Sequence, residues 1–416
     1  MSRVVKVLLL AFVLCAALGV AFSAVSTYDF VAHLDRQVHD ITCSFIPGLK
    51  DAGTGNASGC FAVMMSPFSS VLRDATWGGV PIALPSLSVF AFLFFFGVVL
   101  LVKKNAVLRP AHVAFAVAAA ALPSVISIIY WVISVNVIGT VCKNCVGIYV
   151  ASFGAFIAAV AALFFSTKRP KPEAPEAMPW GFYGLGFFEG VLFVAVPLVV
   201  FLAMKPAYTD EMARCGELMH PDDKYNVRVA LHRNPGGVQA IELVDPLCPA
   251  CKAFRDRLEA SGLIDRLDLE GVMFPLDKTC NWMVSESLHP GACTVSEAVL
   301  CAGDRAEEVL NWSLDNQEEL RQMATADPKA LTAKIKTRFP FVAECVGKPA
   351  IKTKVNRSLR WIISNSSRVM TPQLFVQGVK LCDEDSDLGL EFALNRLLTT
   401  GGTGRAAPAP APAAGR

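Results

Sequence analysis

Two Cys-x-x-Cys pairs, Cys142-Lys143-Asn144-Cys145 and Cys248-Pro249-Ala250-Cys251, give the first chemical signal in a chain that holds thirteen cysteines. Where such a pair opens a helix, the first sulfur sits among free backbone N–H groups at the positive end of the dipole, which favours thiolate and lowers its pKa below the free value of about 8.5. Cys248 is therefore the candidate nucleophile, and Cys251, one turn on, the thiol that resolves a mixed disulfide by exchange. A structural disulfide or half of a zinc site would use the same residues. A closed all-cysteine zinc site needs a second pair in the same domain, and no other Cys-x-x-Cys follows Met204. The six histidines show no ligand spacing, so no metal is expected, and His33 and His39 read as loop surface. At the other pair, Lys143 adds a positive charge beside Cys142, and Cys145 lies one turn deeper in an apolar stretch. A lipid-soluble oxidant would reach it there, which suggests a quinone; packing by two small residues is the alternative use.

The elements that must position these sulfurs are largely membranous. Of 416 residues, 53% are hydrophobic and 18% charged, against roughly 25% charged in soluble domains, and mean hydropathy is +0.46. A net charge of +2 offers no field for gripping nucleic acid, which is excluded as a main partner. Uncharged runs at 7–28, 81–102, 110–142, 144–167 and 190–204 predict five transmembrane helices, with Asn136, Gly139 and Lys143 supplying the turn between the third and fourth. Arg3, Lys6, Lys103, Lys104, Arg109, Lys168, Arg169 and Lys171 fall on one side, which makes that side cytoplasmic. Every cysteine except Cys15 then lies on or at the outer face. A cleaved signal peptide over residues 1–26 is the competing reading of the first run. Glu189, expected near the cytoplasmic start of the fifth helix behind Trp180, Phe182 and Tyr183, is either a proton relay or a solvated interfacial acid.

After Met204 the composition becomes that of a soluble domain, and the Gly, Ala and Pro tail from Gly401 reads as disordered. The predicted order is a strand near 227–231, a strand at 238–244 running into Cys248, a helix at 252–260 and a strand at 267–276. Helices follow over 294–338, then a hairpin of 373–376 and 379–382 around Gly378, then a helix at 388–398. The domains expected are thus 1–166 (four helices), 167–205 (a cytoplasmic loop and the fifth helix), 206–400 (an outer α/β domain) and 401–416 (the tail). Cys280 and Cys293 flank His289-Pro290-Gly291 and are the nearest candidate structural disulfide; the pairing of Cys215, Cys301, Cys345 and Cys382 stays open. Cys43 and Cys60 lie in the first outer loop with Gly53, Gly55 and Gly59 between them, a composition that would keep a dithiol carrier mobile.

Two resemblances attach to these residues. Cys248-Pro249-Ala250-Cys251 at a strand-to-helix junction, with Thr371-Pro372 before the strand at 373–376, resembles the thioredoxin family, specifically its members that oxidise exported proteins. That resemblance implies a thioredoxin-like fold with a helical insertion, and a cis proline at Pro372 that, with Thr371, shapes a groove for the substrate chain. Cys60-Phe61-Ala62-Val63-Met64-Met65-Ser66-Pro67, Trp77-Gly78-Gly79-Val80-Pro81 and the pair Cys142/Cys145 with Tyr149 resemble the vitamin K epoxide reductase family over about residues 5–166. This second resemblance implies an all-α transmembrane bundle that passes electrons from thiols to a quinone (ubiquinone or menaquinone), with Tyr149 lining the quinone pocket. It implies further that Cys43 exchanges with the outer domain and that Cys60 attacks Cys142.

The expectation is a multi-domain, multi-pass protein of the bacterial inner membrane. Its thioredoxin-like domain would face the periplasm, and its partners would be reduced exported proteins, the quinone pool and the bilayer. A reductase or isomerase running electrons outward, and a membrane-tethered chaperone, are the alternatives. The first usually needs a cytoplasmic dithiol, and the cytoplasmic loops hold no cysteine.

Overall fold

The computed structural model describes residues 3–36, 41–46, 59–102, 109–168, 180–206, 208 and 215–399. His39, Gly53, Gly55, Lys103, Lys104, Arg169, Lys171 and the 401–416 tail, on which expectations were placed, lie outside the described residues. The chain divides into two compact units: Met1–Leu72 with Gly79–Pro206, and Ala207–Arg416 together with the short stretch Arg73–Gly78.

In the first unit α1 (Arg3–Ala32) leads through a turn to the loop that bears Cys43, and α2 (Gly59–Met65) carries Cys60. Strands β1 (Ser70–Val71) and β2 (Val80–Pro81) pair antiparallel, so the stretch between α2 and α3 adds a small ribbon to a unit that is otherwise helical. Then come α3 (Ala83–Val102), α4 (Pro110–Ile133), α5 (Lys143–Thr167) and α6 (Trp180–Met204). Five of these helices are long and apolar enough to cross a membrane. In α1 lies the core of the unit: it packs on α3 and α5, burying Leu9 and Phe12 against Phe90, Leu93, Ala151 and Ala155.

Apolar side chains gain little from meeting one another when lipid is the alternative, so close fit and interhelical hydrogen bonds must hold such a bundle. The alanines of α5 and Gly147, whose missing side chain admits the Phe22 ring, give the close fit. Ser127 and Ser124 on α4 give the bonds, donating to the Ser152 hydroxyl (3.0 Å) and carbonyl (3.2 Å) on α5.

Two expectations change here. The fifth span begins at Trp180 rather than Gly190, because one half-exposed acid does not interrupt an otherwise apolar helix; Glu189 lies in its third turn, not at its start. His33 is buried rather than on a loop surface, its Nδ1 2.7 Å from the Asp29 carbonyl oxygen. The turn between the third and fourth spans falls where expected: α4 widens into a π turn over Ser134–Ile138, which Gly139 ends with φ of 74°.

The second unit is a five-stranded mixed sheet with helices around it. Its strands are β3 (Val229–His232), β4 (Val238–Val244), β5 (Leu267–Met273), β6 (Gln373–Val376) and β7 (Val379–Lys380), in the order β3-β5-β4-β6-β7. Only β4 and β5 run parallel. Between β4 and β5 lies α7 (Pro249–Ala260). Between β5 and β6 come α8 (Ala292–Cys301), α9 (Ala306–Asp315), α10 (Gln317–Ala326), α11 (Pro328–Arg338) and α12 (Pro349–Ser364); α13 (Leu390–Thr399) follows β7. Beyond the predicted helical stretch, α12 buries Ile351, Val355, Leu359, Trp361 and Ile362, a helical spacing carried in a strongly basic segment. Disulfides join Cys215 to Cys382, Cys280 to Cys293 and Cys301 to Cys345.

Candidate redox centres

The first centre grows from the centre of the sheet. Strand β4 is buried from Ala240 to Val244 and ends at Asp245, whose carboxylate organises the turn beyond it. It accepts from the N–H of Leu247 (2.8 Å), from the N–H of Leu276 (2.6 Å) and faces His289 Nδ1 at 2.8 Å. Cys248 follows as the residue capping α7, with Pro249 in the first helical position, where its missing N–H costs nothing. Gln317, at the start of α10, donates to the Cys248 carbonyl at 3.3 Å.

Cys248 and Cys251 are both buried, yet their thiols are driven apart. The Cys251 thiol donates to the Cys248 sulfur, and with Thr371 alongside this outweighs burial and lowers Cys248 to about 6. Burial, then the same bond seen from its donor, raises Cys251 well above the thiol range. Cys248 is thus largely thiolate at neutral pH and Cys251 a thiol, the division of labour that attack and resolution require. Thr371 and Pro372 lie against this sulfur: the Thr371 carbonyl oxygen is 3.7 Å from Cys248 Sγ, and the Thr371–Pro372 bond is cis.

Sequence reasoning passed over three residues of this centre. Glu242 is fully buried on β4 and paired with Arg255 of α7 at 3.1 Å; the signal was a lone acid between Ile241 and Leu243 in a predicted strand. Its charge adds to what raises Cys251. His289 and Gln317 lie between β5 and β6 and carry no local signal of their own.

The second centre lies where the segments bearing Cys43 and Cys60 meet the start of α5. Cys142 caps that helix and its sulfur accepts from the Cys145 N–H at 3.2 Å. Cys43 and Cys60 form a disulfide, and with Cys142 they make one buried cluster packed against Ile41, Val63 and Cys145. Gly59 was expected to loosen the loop. Instead it opens α2 in close contact with the chain before Cys142: a Cβ there would stand 2.5 Å from the Val141 carbonyl oxygen. Cys142 is buried and Cys145 partly exposed; one turn further, Tyr149 meets Trp131 edge-on at 6.1 Å between ring centres.

The segment bearing Cys43 is held by two buried polar residues that the sequence reading did not single out. Asp29, at the end of α1, accepts from the Thr42 N–H (2.9 Å) and hydroxyl (3.2 Å). Asn144, between the two cysteines of the pair, donates to the Thr42 carbonyl (2.5 Å) and accepts from the Ser44 N–H (3.4 Å). The signal available was a small polar side chain just inside the apolar boundary. Among the described residues, one group has metal-ligand geometry, Cys215 and Cys382 with Glu384, and its two sulfurs are joined in a disulfide.

Five helices of membrane-crossing length and apolarity, with the Cys43–Cys60 disulfide packed on Cys142 and Cys145, point to a membrane thiol–disulfide oxidoreductase as the class. Residues 10–160 match the model of the vitamin K epoxide reductase family, which supports placing the membrane part in that family. No curated protein matches the chain.

Proposed function

We propose that this protein is a membrane thiol:quinone oxidoreductase that makes disulfide bonds in exported proteins. The observation that carries the reading is the shared burial of Cys43, Cys60 and Cys142 with Cys145 packed against them, since thiol exchange needs sulfurs in contact. The mixed sheet of the second unit, with a Cys-x-x-Cys pair where β4 meets α7 and a cis proline beside it, supports a thioredoxin-like fold there. That unit would act on the outer, periplasmic side of a bacterial inner membrane.

Electrons move in pairs. A substrate thiolate attacks Cys248 of the Cys248–Cys251 disulfide and Cys251 leaves; the substrate's second thiolate then displaces Cys248, so the substrate gains a disulfide and the unit becomes a dithiol. The Cys248 thiolate next attacks Cys43 of the loop disulfide, releasing Cys60, and Cys251 resolves the mixed bond. Cys60 then attacks Cys142, expelling Cys145, and Cys43 closes back on Cys60. The loop disulfide is restored and Cys142 and Cys145 are left as thiols. A quinone accepts two electrons and two protons from such a pair. The residues present fit one: Cys145 is partly exposed beside the aromatic edges of Tyr149 and Trp131. Carrying both centres on one chain raises their mutual concentration to the order of millimolar for a short flexible link, so no diffusing carrier is needed.

The test is direct. Purified protein given a reduced peptide and a quinone analogue should consume thiol, and Cys145→Ala should stop it. Unchanged turnover in that variant removes the membrane pair from the mechanism.

A further inference from the structure

We propose that Asn144 is the positioning residue for sulfur exchange between the loop pair and the membrane pair, a role that rests on the electron path above. Its carboxamide lies in the four-residue segment that carries Cys142 and Cys145, and its two hydrogen bonds go to the peptide groups on either side of Cys43. Asn144 Nδ2 donates to the Thr42 carbonyl at 2.5 Å, and Asn144 Oδ1 accepts from the Ser44 N–H at 3.4 Å. A side-chain amide makes both bonds because it presents a donor and an acceptor at once on a short stem. Aspartate keeps the acceptor and loses the donor, and alanine loses both. Thr42, Ser44 and Asn144 are all buried, so a lost partner there is not replaced by bulk water. Asp29 fixes the other side of Thr42, through its N–H and hydroxyl, and so leaves the carbonyl for Asn144.

The consequence falls on one step. When Cys60 has attacked Cys142, the bond between them can be broken from either end. If Cys43 thiolate attacks Cys60, the Cys43–Cys60 disulfide forms, Cys142 leaves as thiolate, and two electrons have passed to the membrane pair. If Cys145 attacks Cys142, the exchange reverses and nothing is transferred. Asn144 biases this partition forward because it ties the backbone of Cys43 to the segment that holds the bond under attack. Losing both hydrogen bonds should slow this step about tenfold, which corresponds to about 1.4 kcal/mol in the barrier.

The test uses the full-length protein, a reduced peptide and a quinone analogue, with Asn144→Ala and, should that variant not fold, Asn144→Asp. Overall kcat should fall about tenfold. Because the quinone reacts after the affected step, kcat/KM for the quinone should stay at the wild-type value, a split that general damage to the bundle does not produce. Quenching at steady state with an alkylating agent and mapping by mass spectrometry should show the Cys60–Cys142 mixed disulfide accumulating in the variant. Wild-type kcat, or a fall in kcat matched by a fall in kcat/KM for the quinone, or no build-up of the mixed disulfide, overturns the proposal. The variant pair Cys43→Ser and Cys60→Ser separates the two levels. If that double variant turns over like wild type, the loop relay itself is wrong; if it is inactive while Asn144→Ala is normal, only the role given to Asn144 fails.

Discussion

His289 reaches Asp245 from beyond the next strand, its Nδ1 2.8 Å from a carboxylate that already accepts from the backbone N–H groups of Leu247 and Leu276. Burial works against the imidazolium, but the Asp245 bond and charge, with the Cys248 thiolate adding, hold His289 above its ordinary value; Arg321 opposes them. An imidazolium here and a thiolate at Cys248 support each other.

The pH dependence follows from opposite signs. Cys248 is lowered to about 6, so alkylation of the reduced second unit should follow a titration near that pH. The Cys248 contribution to the stability of the dithiol form is complete above the unfolded thiol value and disappears as pH falls through about 6. His289 is raised, so its contribution is complete below the unfolded imidazole value and disappears as pH rises through the higher folded one. His289→Ala should shift the alkylation profile upward, by about half a unit to one unit, a fraction of what a contacting charge gives. An unshifted profile would detach His289 from the thiol.

The buried pair of Glu242 and Arg255 gives a stability prediction. Arg255→Ala leaves a carboxylate stranded at the centre of the sheet, and the loss should be about 3–5 kcal/mol by urea unfolding of the oxidised protein. Glu242→Leu combined with Arg255→Met should recover most of it. Equal destabilisation by the single and double variants would contradict the account.

Gly59 tests how closely α2 must approach the membrane pair. In Gly59→Ala the added carbon would stand 2.5 Å from the Val141 carbonyl oxygen and 2.8 Å from the Thr140 hydroxyl, so the start of α2 must move. Cys60 is the next residue. Trapping of the Cys60–Cys142 mixed disulfide should drop, and turnover with it, by about tenfold for a shift worth about 1.4 kcal/mol in the barrier. Wild-type trapping would show that the contact tolerates a methyl group.

Trp77 belongs to the second unit although it precedes the second span in sequence. It is buried, its indole N–H donates to Asp385 at 2.8 Å, and its ring fills the space at Gly389. Trp77→Phe should cost about 1 kcal/mol for the lost bond, and Trp77→Ala about 3–5 kcal/mol, both measured as thermal unfolding of the full chain. Gly389→Ala, whose new carbon would lie 2.3 Å from the Trp77 indole nitrogen, should behave like a partial loss of Trp77.

Much of the architecture was legible because its causes are local. A bilayer demands about 20 apolar residues in succession, so the spans show as uncharged runs, and the strand 238–244 shows as a mostly apolar stretch that follows the Asn234–Gly237 turn and runs into Cys248. The fifth span was misjudged at its start because absence of charge is a stricter rule than the membrane applies. Placement of Cys142 and Cys248 as helix caps was equally local, since the cap and the first turn are consecutive in sequence.

The sequence by itself determined where the chain becomes membranous and which sulfurs open helices. The tertiary structure decided which distant residues meet: Asn144 with the peptides around Cys43, His289 with Asp245, and Arg73–Gly78 with the second unit. Such pairings are fixed when helices and strands pack and a buried polar group must find a partner. That demand leaves no period in the sequence, so only the folded chain reveals how it was met.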